Sequence, residues 1–294
     1  MKASFARLLP YPGNSRRLAT VGVTASLMLL LVVAGSVAQD KPDDKKPEKP
    51  EKKPEDKLLI PDRNLEAALR GAVYEKRNNQ EPLTEEDLRK INILEAGNKG
   101  IKDLTGLEKC TDLLLVNLAG NEIADISALA GLENLQSLDL AGNRIKDVAP
   151  LAKLTKLQYL HLAGNQVEDV AGLAGLTKLS ALYLSDNKLK DIGPLGKLEK
   201  LASLYLDGNQ LEKFDAVVGI DRLSTLDISG NAISSLAPLG KQTQLRLLLA
   251  QENKIADLGP LVALCKADSE GERRLAPFLR VYLAGNPLSD KAKN

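Results

Sequence analysis

An asparagine recurs every 22 residues through the centre of the chain, and this period constrains the fold more than any other feature. It stands at positions 121, 143, 165, 187, 209, 231 and 253. The flanking leucine and isoleucine residues keep the same phase, as in LQSLDLAGNRIKDVAPLAKLTK (135–156) and LQYLHLAGNQVEDVAGLAGLTK (157–178). Self-similarity at such a period is typical of a solenoid, in which each repeat packs on its neighbours.

Each unit reads L-x-x-L-x-L-x-x-N-x-I/L/V-x-D and then carries a second apolar set that ends in L-x-x-L. The L-x-L core alternates with a period of two, which predicts a short strand with one buried and one exposed face. Units stacked in register would form a parallel sheet over a continuous leucine core. This motif is the leucine-rich repeat. The predicted fold class is therefore an α/β repeat solenoid, a leucine-rich repeat horseshoe with a parallel concave sheet and short helical or 3-10 segments on the convex side.

The recurring asparagine has a structural explanation. Where the chain leaves each strand it turns inward, so backbone N–H and C=O groups face an apolar interior. A buried amide side chain donates and accepts hydrogen bonds, and it can satisfy those groups in its own coil and the next. We predict a structural, non-catalytic ladder that consists of Asn121, Asn143, Asn165, Asn187, Asn209, Asn231, Asn253 and Asn286.

The array of repeats spans 91–294 in about nine coils, and both of its ends depart from the regular pattern. Near the start, Lys99 occupies the usual asparagine position, so we expect an atypical first turn. Near the end, Asn286 follows Asn253 at one and a half times the usual spacing. The extra residues define an insertion at 265–277, which we expect to form a helical or looped excursion away from the sheet.

Residues 58–90 are predicted to form a helical N-terminal cap, because an open solenoid end would expose its core. The segment IPDRNLEAALRGAV places apolar residues on one helical face behind Asp62 or Asn64 as the N-cap. The segment LTEEDLRKI then begins a second helix, with Thr84 as N-cap and Asp87 at the spacing of a capping box.

Residues 1–57 differ in composition from the array. Residues 1–38 combine a basic start with an uncharged run that ends in SVA, as in a signal peptide. The run is also long enough for a retained N-terminal anchor, so both interpretations stay open. The composition of residues 39–57 predicts a disordered Lys/Glu/Pro linker, which includes DKPDDKKPEKPEKKPEDK. Either interpretation implies an exported protein that is periplasmic, in the cell envelope or secreted, and membrane-anchored if the first segment is retained.

Residues 58–294 resemble the 22-residue class of leucine-rich repeat proteins, in the style of bacterial internalins and the eukaryotic phosphatase-1 regulator. The repeat motif carries this resemblance, and the opening IPDRNLEAALR…LTEEDL is similar to caps of exported bacterial members. The resemblance implies a non-catalytic protein that binds partners on its concave sheet. Lys99 and the insertion at 265–277 depart from the family pattern.

The strand positions between the buried leucines are predicted to line the concave face. Residues of equal phase become neighbours there, since adjacent rungs of a sheet lie about 4.8 Å apart. Four of the six tyrosines of the chain fall in these rows. Tyrosine suits a binding surface, although it also favours exposed strand positions for its own sake. The predicted partner-binding set is Tyr159, His161, Tyr183, Tyr205, Asp139, Asp207 and Asp227.

His161 is the only histidine of the chain, and it lies one coil after Asp139, with Ser137 and Ser203 nearby. A Ser-His-Asp arrangement can be drawn from these residues, but a regular, shallow sheet offers neither an oxyanion hole nor a closed pocket. One histidine and two cysteines leave no metal cluster. We therefore predict no enzymatic activity, no cofactor and no metal.

The expected partner is a protein or peptide, bound by a monomeric scaffold. A net charge of +1 argues against a nucleic-acid ligand, and membrane contact would come only through residues 18–38 if they are uncleaved. A structural or spacer protein of the cell envelope and a glycan-binding adhesin remain as alternatives. Cys110 and Cys265 lie seven coils apart, which is too far for a disulfide.

Overall fold

The described residues form one parallel sheet of nine strands that follow each other in chain order. The computed structural model describes residues 60–275 and 278–289, so the predicted segments 1–38 and 39–57 lie outside the described residues. Within the described ranges, no helix is long and apolar enough to cross a membrane. The strands are β1 Ile93–Glu95, β2 Leu115–Asn117, β3 Ser137–Asp139, β4 Tyr159–His161, β5 Ala181–Tyr183, β6 Ser203–Tyr205, β7 Thr225–Asp227, β8 Leu247–Leu249 and β9 Arg280–Tyr282. The predicted repeat solenoid is confirmed.

Short 3-10 helices lie in the return paths between successive strands from β1 to β8, as predicted for the convex side. They span Leu107–Lys109, Ser127–Leu129, Ala149–Lys153, Ala171–Leu173, Gly193–Lys197, Asp215–Gly219 and Ala237–Lys241. The aspartate of the repeat motif begins several of these turns. The Asp147 carboxylate, for example, accepts the Ala149 N–H at 2.8 Å. Such a short-range bond is the usual contribution of aspartate to a turn.

The strands pair in an unshifted register, so each residue faces the residue one repeat later. His161 pairs with Tyr183, and Tyr183 pairs with Tyr205. The last pair keeps this register although the insertion separates its members, because Leu249 pairs with Tyr282. Residues of equal phase are therefore neighbours along the whole sheet.

The core is a set of stacked leucine-rich columns beneath the sheet. The central residue of each strand from β1 to β8 is almost completely buried, as are the apolar residues three positions before it and two positions after it. Full burial of one such side chain stabilises the fold by roughly 1.5–3 kcal/mol. Since every coil contributes several of them, each coil is ordered by contact with its neighbours.

The asparagine side chains bridge successive coils. Asn165 is typical: its Oδ1 accepts the Ile145 N–H at 3.0 Å, and its Nδ2 donates to the carbonyls of Leu140 at 2.9 Å and Leu162 at 3.0 Å. Equivalent side-chain bonds occur at Asn121, Asn143, Asn187, Asn209, Asn231, Asn253 and Asn286. In the first coil, the backbone N–H of Lys99 donates to Asn121 in the next coil, at 3.0 Å.

Two α-helices stand before the first coil, α1 Arg63–Ala72 and α2 Glu85–Arg89, and a short 3-10 helix, Tyr74–Lys76, lies between them. Asp62 is the N-cap of α1, and its Oδ2 also accepts the backbone N–H of Lys102 at 2.8 Å, so one carboxylate joins the helix to the first coil. Burial disfavours its charge, but the backbone N–H donors prevail and lower the pKa of Asp62. Thr84 and Asp87 form the predicted capping box of α2.

A third helix, α3 Gly259–Glu270, replaces the 3-10 turn between β8 and β9. The insertion was expected to begin at Cys265, but the helical excursion begins earlier in the chain, at Gly259. The Asp268 carboxylate accepts the backbone N–H groups of Arg274 and Leu275, which returns the chain toward β9. Residues 276–277 of the predicted insertion lie outside the described residues.

At two buried positions a different residue replaces the leucine of other coils, Cys110 and Gln242. Cys110 is fully buried, and Cys265 is exposed; neither is in a disulfide. Gln242 is also fully buried and donates to the Val217 carbonyl at 2.7 Å. Its Oε1 is buried without a hydrogen-bond partner among the described residues, which makes this position a local source of instability.

Candidate protein-binding surface

Four rings form a continuous group on the exposed face of the sheet, and we call Tyr159, His161, Tyr183 and Tyr205 the aromatic strip. The ring centroids of Tyr183 and Tyr205 lie 4.6 Å apart with 6° between the planes, so these two rings stack. The ring centroid of His161 lies 4.8 Å from that of Tyr183, and that of Tyr159 lies 5.4 Å from it. All four side chains are half-buried. The structure therefore brings together the four rings of the predicted set.

The strands position these rings in a simple way. Because the register is unshifted, side chains of equal phase are spaced by one rung, about 4.8 Å, which is close to the distance at which aromatic rings stack. Between the ring-bearing positions, Leu160, Leu182 and Leu204 point into the core and are fully buried. The backbone beneath the strip is thus held by the core, and the rings are held by each other.

His161 contacts a carboxylate and a phenol but no serine. Its Nδ1 lies 3.3 Å from Oδ2 of Asp139 and 3.4 Å from the Tyr159 hydroxyl oxygen. Among the described residues, no serine hydroxyl is hydrogen-bonded to the imidazole, so Ser137 and Ser203 do not complete a Ser-His-Asp arrangement. A nucleophile needs a base within hydrogen-bond reach. The observed geometry instead suits a polar contact within a binding surface.

Two predicted aspartates lie together at the Tyr205 end of the aromatic strip. Asp227 is half-buried, and its Oδ1 accepts the Ser229 N–H at 3.0 Å. Burial, together with the charge of Asp207, raises the pKa of Asp227. Asp207 itself accepts a hydrogen bond from the Ser185 hydroxyl. The structure thus places Asp139 at the His161 end of the strip and the other two aspartates at the opposite end.

The tyrosines of the aromatic strip are neutral hydrogen-bonding groups at physiological pH. Burial raises the pKa of Tyr183. Burial and then the neighbouring Tyr183, Asp227 and Asp207 raise the pKa of Tyr205. Each phenol therefore keeps its proton and offers a donor at the edge of an apolar ring.

Comparison with known proteins identifies the family. A family model described as Leucine Rich repeats (2 copies) matches residues 133–175 and 177–218. The crystal structure of internalin C2 from Listeria monocytogenes is similar to this chain, with 30% identity and a TM-score of 0.58, and the match covers 79% of this chain and 88% of that one. The chain belongs to the internalin-like family of bacterial leucine-rich repeat proteins.

Two further solved structures are similar to this internalin-like chain. One is the internalin inlF from Listeria monocytogenes, with 22% identity, a TM-score of 0.45 and coverage of 79% of this chain and 92% of that chain. The other is the leucine-rich repeat protein LIC12759 from Leptospira interrogans, with 21% identity, a TM-score of 0.49 and coverage of 64% and 53%. No curated protein matches the chain.

Sequence reasoning missed an acidic residue that lies beside Asp207 on the internalin-like surface. Asp186 occupies a turn position that is glycine in most coils, and it adopts the left-handed conformation with φ of 52°. Its exposed carboxylate lies beside Asp207, and burial together with that charge raises the pKa of Asp186. The replacement of glycine by aspartate in SDN, residues 185–187, is the sequence signal that could have revealed it.

A second missed feature lies near the C-terminal end of the sheet. The Arg246 guanidinium carbon lies 5.4 Å from the ring centroid of Phe278, a residue that is 57% exposed. This is within the range of a cation–π contact. The insertion broke the phase of the repeat before Phe278, so the repeat alignment gave no reason to place these two residues together.

Proposed function

We propose that the chain is a non-enzymatic protein-binding scaffold that is exported from the cytoplasm and recognises a protein or peptide on its concave face. The aromatic strip forms the centre of the binding surface, with Asp139, Asp207 and Asp227 around it. The observation that carries this proposal is the unbroken contact of four half-buried rings across three neighbouring strands. Leucine-rich repeat proteins generally act as protein-binding scaffolds, which agrees with it.

The physical basis is preorganisation. Binding normally costs side-chain entropy at the interface, and tyrosine contributes a large contact area with few rotatable bonds. The rings of the aromatic strip already stack on one another above a close-packed core, so a partner would order few additional groups. Tyrosines that a partner buries at the centre of an interface are frequent hot spots, where truncation to alanine costs about 2 kcal/mol or more.

The stack also bears on the glycan alternative. A sugar ring needs a free aromatic face of its own size, and the facing surfaces of Tyr183 and Tyr205 are occupied by each other at 4.6 Å. The outer face of the Tyr205 ring is turned toward Asp227, and the edges and hydroxyl groups of both rings remain available. Edges with polar tips suit the mixed apolar and hydrogen-bonding groups of a polypeptide, so a protein or peptide is the better-supported ligand.

The test compares the wild type with the variant Tyr159→Ala/Tyr183→Ala/Tyr205→Ala in pull-downs from the native extract, quantified by mass spectrometry. We expect partner capture to fall at least roughly 30-fold, which corresponds to about 2 kcal/mol. The matched control is Tyr74→Ala, which removes a tyrosine that is 78% exposed and outside the aromatic strip. Circular dichroism verifies that each variant is folded. Equal recovery of the same partners by the wild type and the triple variant would contradict the proposal.

Export requires a separate test, since it depends on residues 1–38. We expect the N-terminal sequence of protein isolated from the cell envelope or medium to begin near residue 39 if the segment is a signal peptide. An intact N-terminus in a membrane fraction would indicate the retained anchor. Protein found solely in the cytoplasm would contradict export.

A further inference from the structure

The near-zero net charge of the chain conceals a separation of charge around the sheet. On the exposed strand positions and the turn that follows each strand, the acidic residues are Glu95, Asp139, Asp186, Asp207, Asp227 and Glu252. Apart from His161, the same positions hold two basic residues, Lys99 and Arg280, which lie at the two ends of the sheet. Lysines lie in the return paths instead, for example Lys153 and Lys197 at the ends of 3-10 helices. The aromatic strip therefore lies in an acidic surrounding.

Asp207 and Asp227 lie near Tyr205, and Asp186 lies beside Asp207. Asp186, Asp207 and Asp227 form no ion pair with any described residue. Elsewhere a carboxylate finds a cation one coil away, as Glu122 does with Arg144 at 2.8 Å. Like charges held close together destabilise the free protein. A ligand that supplied positive charge would relieve this repulsion on binding.

The orientation of the tyrosine rings adds a second element. Tyr183 and Tyr205 are register partners with nearly parallel rings, so the stack runs along the sheet from one strand to the next. One face of the Tyr205 ring is covered by Tyr183. The other face is directed toward β7, where the register partner of Tyr205 is Asp227. An aromatic face and a carboxylate are thus adjacent on the exposed surface.

We propose that the segment bound by the aromatic strip presents an arginine or lysine side chain, which lies against the face of Tyr205 that is turned toward β7 and pairs with Asp207 and Asp227. This inference rests on the proposed function, because it specifies the chemistry of the partner at the same surface. A cation is attracted by the face of an aromatic ring, and carboxylates around the ring strengthen the attraction. The planar guanidinium of arginine matches both groups.

An apolar side chain fits this end of the strip less well. It would cover Asp227 and Asp207 without offering them a hydrogen bond, and the desolvation of unpaired carboxylates opposes binding. An acidic partner segment would add repulsion. Charge complementarity therefore favours a cationic group at this end of the surface.

The experiment selects binders from a random dodecapeptide library displayed on phage, with the full-length chain as target. Selected peptides are synthesised, and their affinity is measured by fluorescence anisotropy for the wild type, for Asp207→Asn/Asp227→Asn and for the triple tyrosine-to-alanine variant. Asparagine keeps the acceptor oxygens that the Ser229 N–H and the Ser185 hydroxyl use. The matched control is Glu133→Gln/Glu199→Gln, which neutralises two exposed carboxylates in the return paths.

We expect the strip-dependent peptides to share an arginine or lysine. Their affinity should fall at least tenfold for Asp207→Asn/Asp227→Asn and change less than twofold for Glu133→Gln/Glu199→Gln. Replacement of the arginine by citrulline, or of the lysine by norleucine, should cause a similar loss with the wild-type protein, which tests the inference without altering the fold. Peptides that depend on the tyrosines but lack a cation, or that bind the aspartate variant unchanged, would overturn this inference alone. Failure to obtain any tyrosine-dependent peptide would count against the inference and the proposed function together.

Discussion

The asparagine ladder permits a quantitative prediction, because its hydrogen bonds are shared between coils. The Leu162 carbonyl accepts from Asn165 at 3.0 Å and from Asn187 at 2.9 Å. The Leu140 carbonyl likewise accepts from both Asn143 and Asn165, each at 2.9 Å. Removal of one asparagine therefore leaves each of these carbonyls with its other donor.

The single substitution Asn165→Ala consequently leaves one buried group without a partner, the Ile145 N–H. Asn187→Ala similarly leaves the Val167 N–H without a partner. An unsatisfied buried donor costs about 1–3 kcal/mol, so each single variant should lose about that much free energy of unfolding. In the double variant, Leu162 loses both donors, and we expect an additional loss of about 1 kcal/mol or more beyond the sum.

Urea denaturation of the full chain, followed by circular dichroism, measures this coupling in a double-mutant cycle. The control pair is Asn143→Ala with Asn187→Ala, because these two side chains share no acceptor carbonyl. The control pair should be additive within about 0.5 kcal/mol. Additivity of the adjacent pair to the same precision would refute the reasoning that shared carbonyls connect the coils.

Three further predictions concern single side chains. Asp227→Asn should raise the melting temperature at pH 7, because a pKa raised above 3.8 in the folded state means that the ionised carboxylate destabilises the fold. The difference from wild type should vanish in melts well below pH 3.8, where the carboxyl is protonated in both the folded and the unfolded state. Gln242→Leu should raise the free energy of unfolding by about 1 kcal/mol in urea titrations, since it removes an unsatisfied buried oxygen while the Val217 carbonyl keeps the Ile220 N–H; a loss of stability would contradict this. With a thiol reagent such as Ellman's, the native chain should show one reactive cysteine, the exposed Cys265, and the denatured chain should show two. The reason is that burial and the charge of Glu108 raise the pKa of Cys110 to about 12, which keeps this thiol unreactive in the native chain.

The period of the repeat was sufficient to predict the sheet and its register. A constant spacing leaves one in-register way to bury the leucines, so Tyr183 had to lie beside Tyr205. The choice between Asp62 and Asn64 as N-cap stayed open, because both are favourable there. The structure selects Asp62, whose carboxylate also reaches the backbone of Lys102, a long-range contact that local preference does not encode.

The early start of α3 illustrates a limit of alignment by phase. The return paths at Gly193 and Gly259 both begin with GPL, but the first continues with Gly196 and ends as a 3-10 helix, Gly193–Lys197. The second continues with Val262 and further residues that favour or tolerate helix, so the helix extends to Glu270. The two return paths begin alike and differ in the helix propensity of the residues that follow. The repeat period carries no information about that propensity.

The residues of the candidate site could be predicted from the repeat, whereas the geometry of their side chains could be predicted less well. Phase alone indicated which residues share the exposed face, and the four rings do so. The 6° angle between Tyr183 and Tyr205 depends on side-chain rotamers, which a repeat pattern does not specify. Asp186 escaped notice because it stands in a turn, at a position where the regular repeat has no side chain.

The pairing of β8 with β9 shows how the molecule can accept an insertion between two strands. The inserted segment leaves the chain between these strands and comes back without altering which residues face each other on the sheet. Hydrogen bonds between neighbouring strands fix the spacing of the rungs, whereas they do not fix the length of the return path on the convex side. Residues added to the return path therefore leave the concave sheet unchanged. The binding surface and the convex side can thus change independently within one polypeptide.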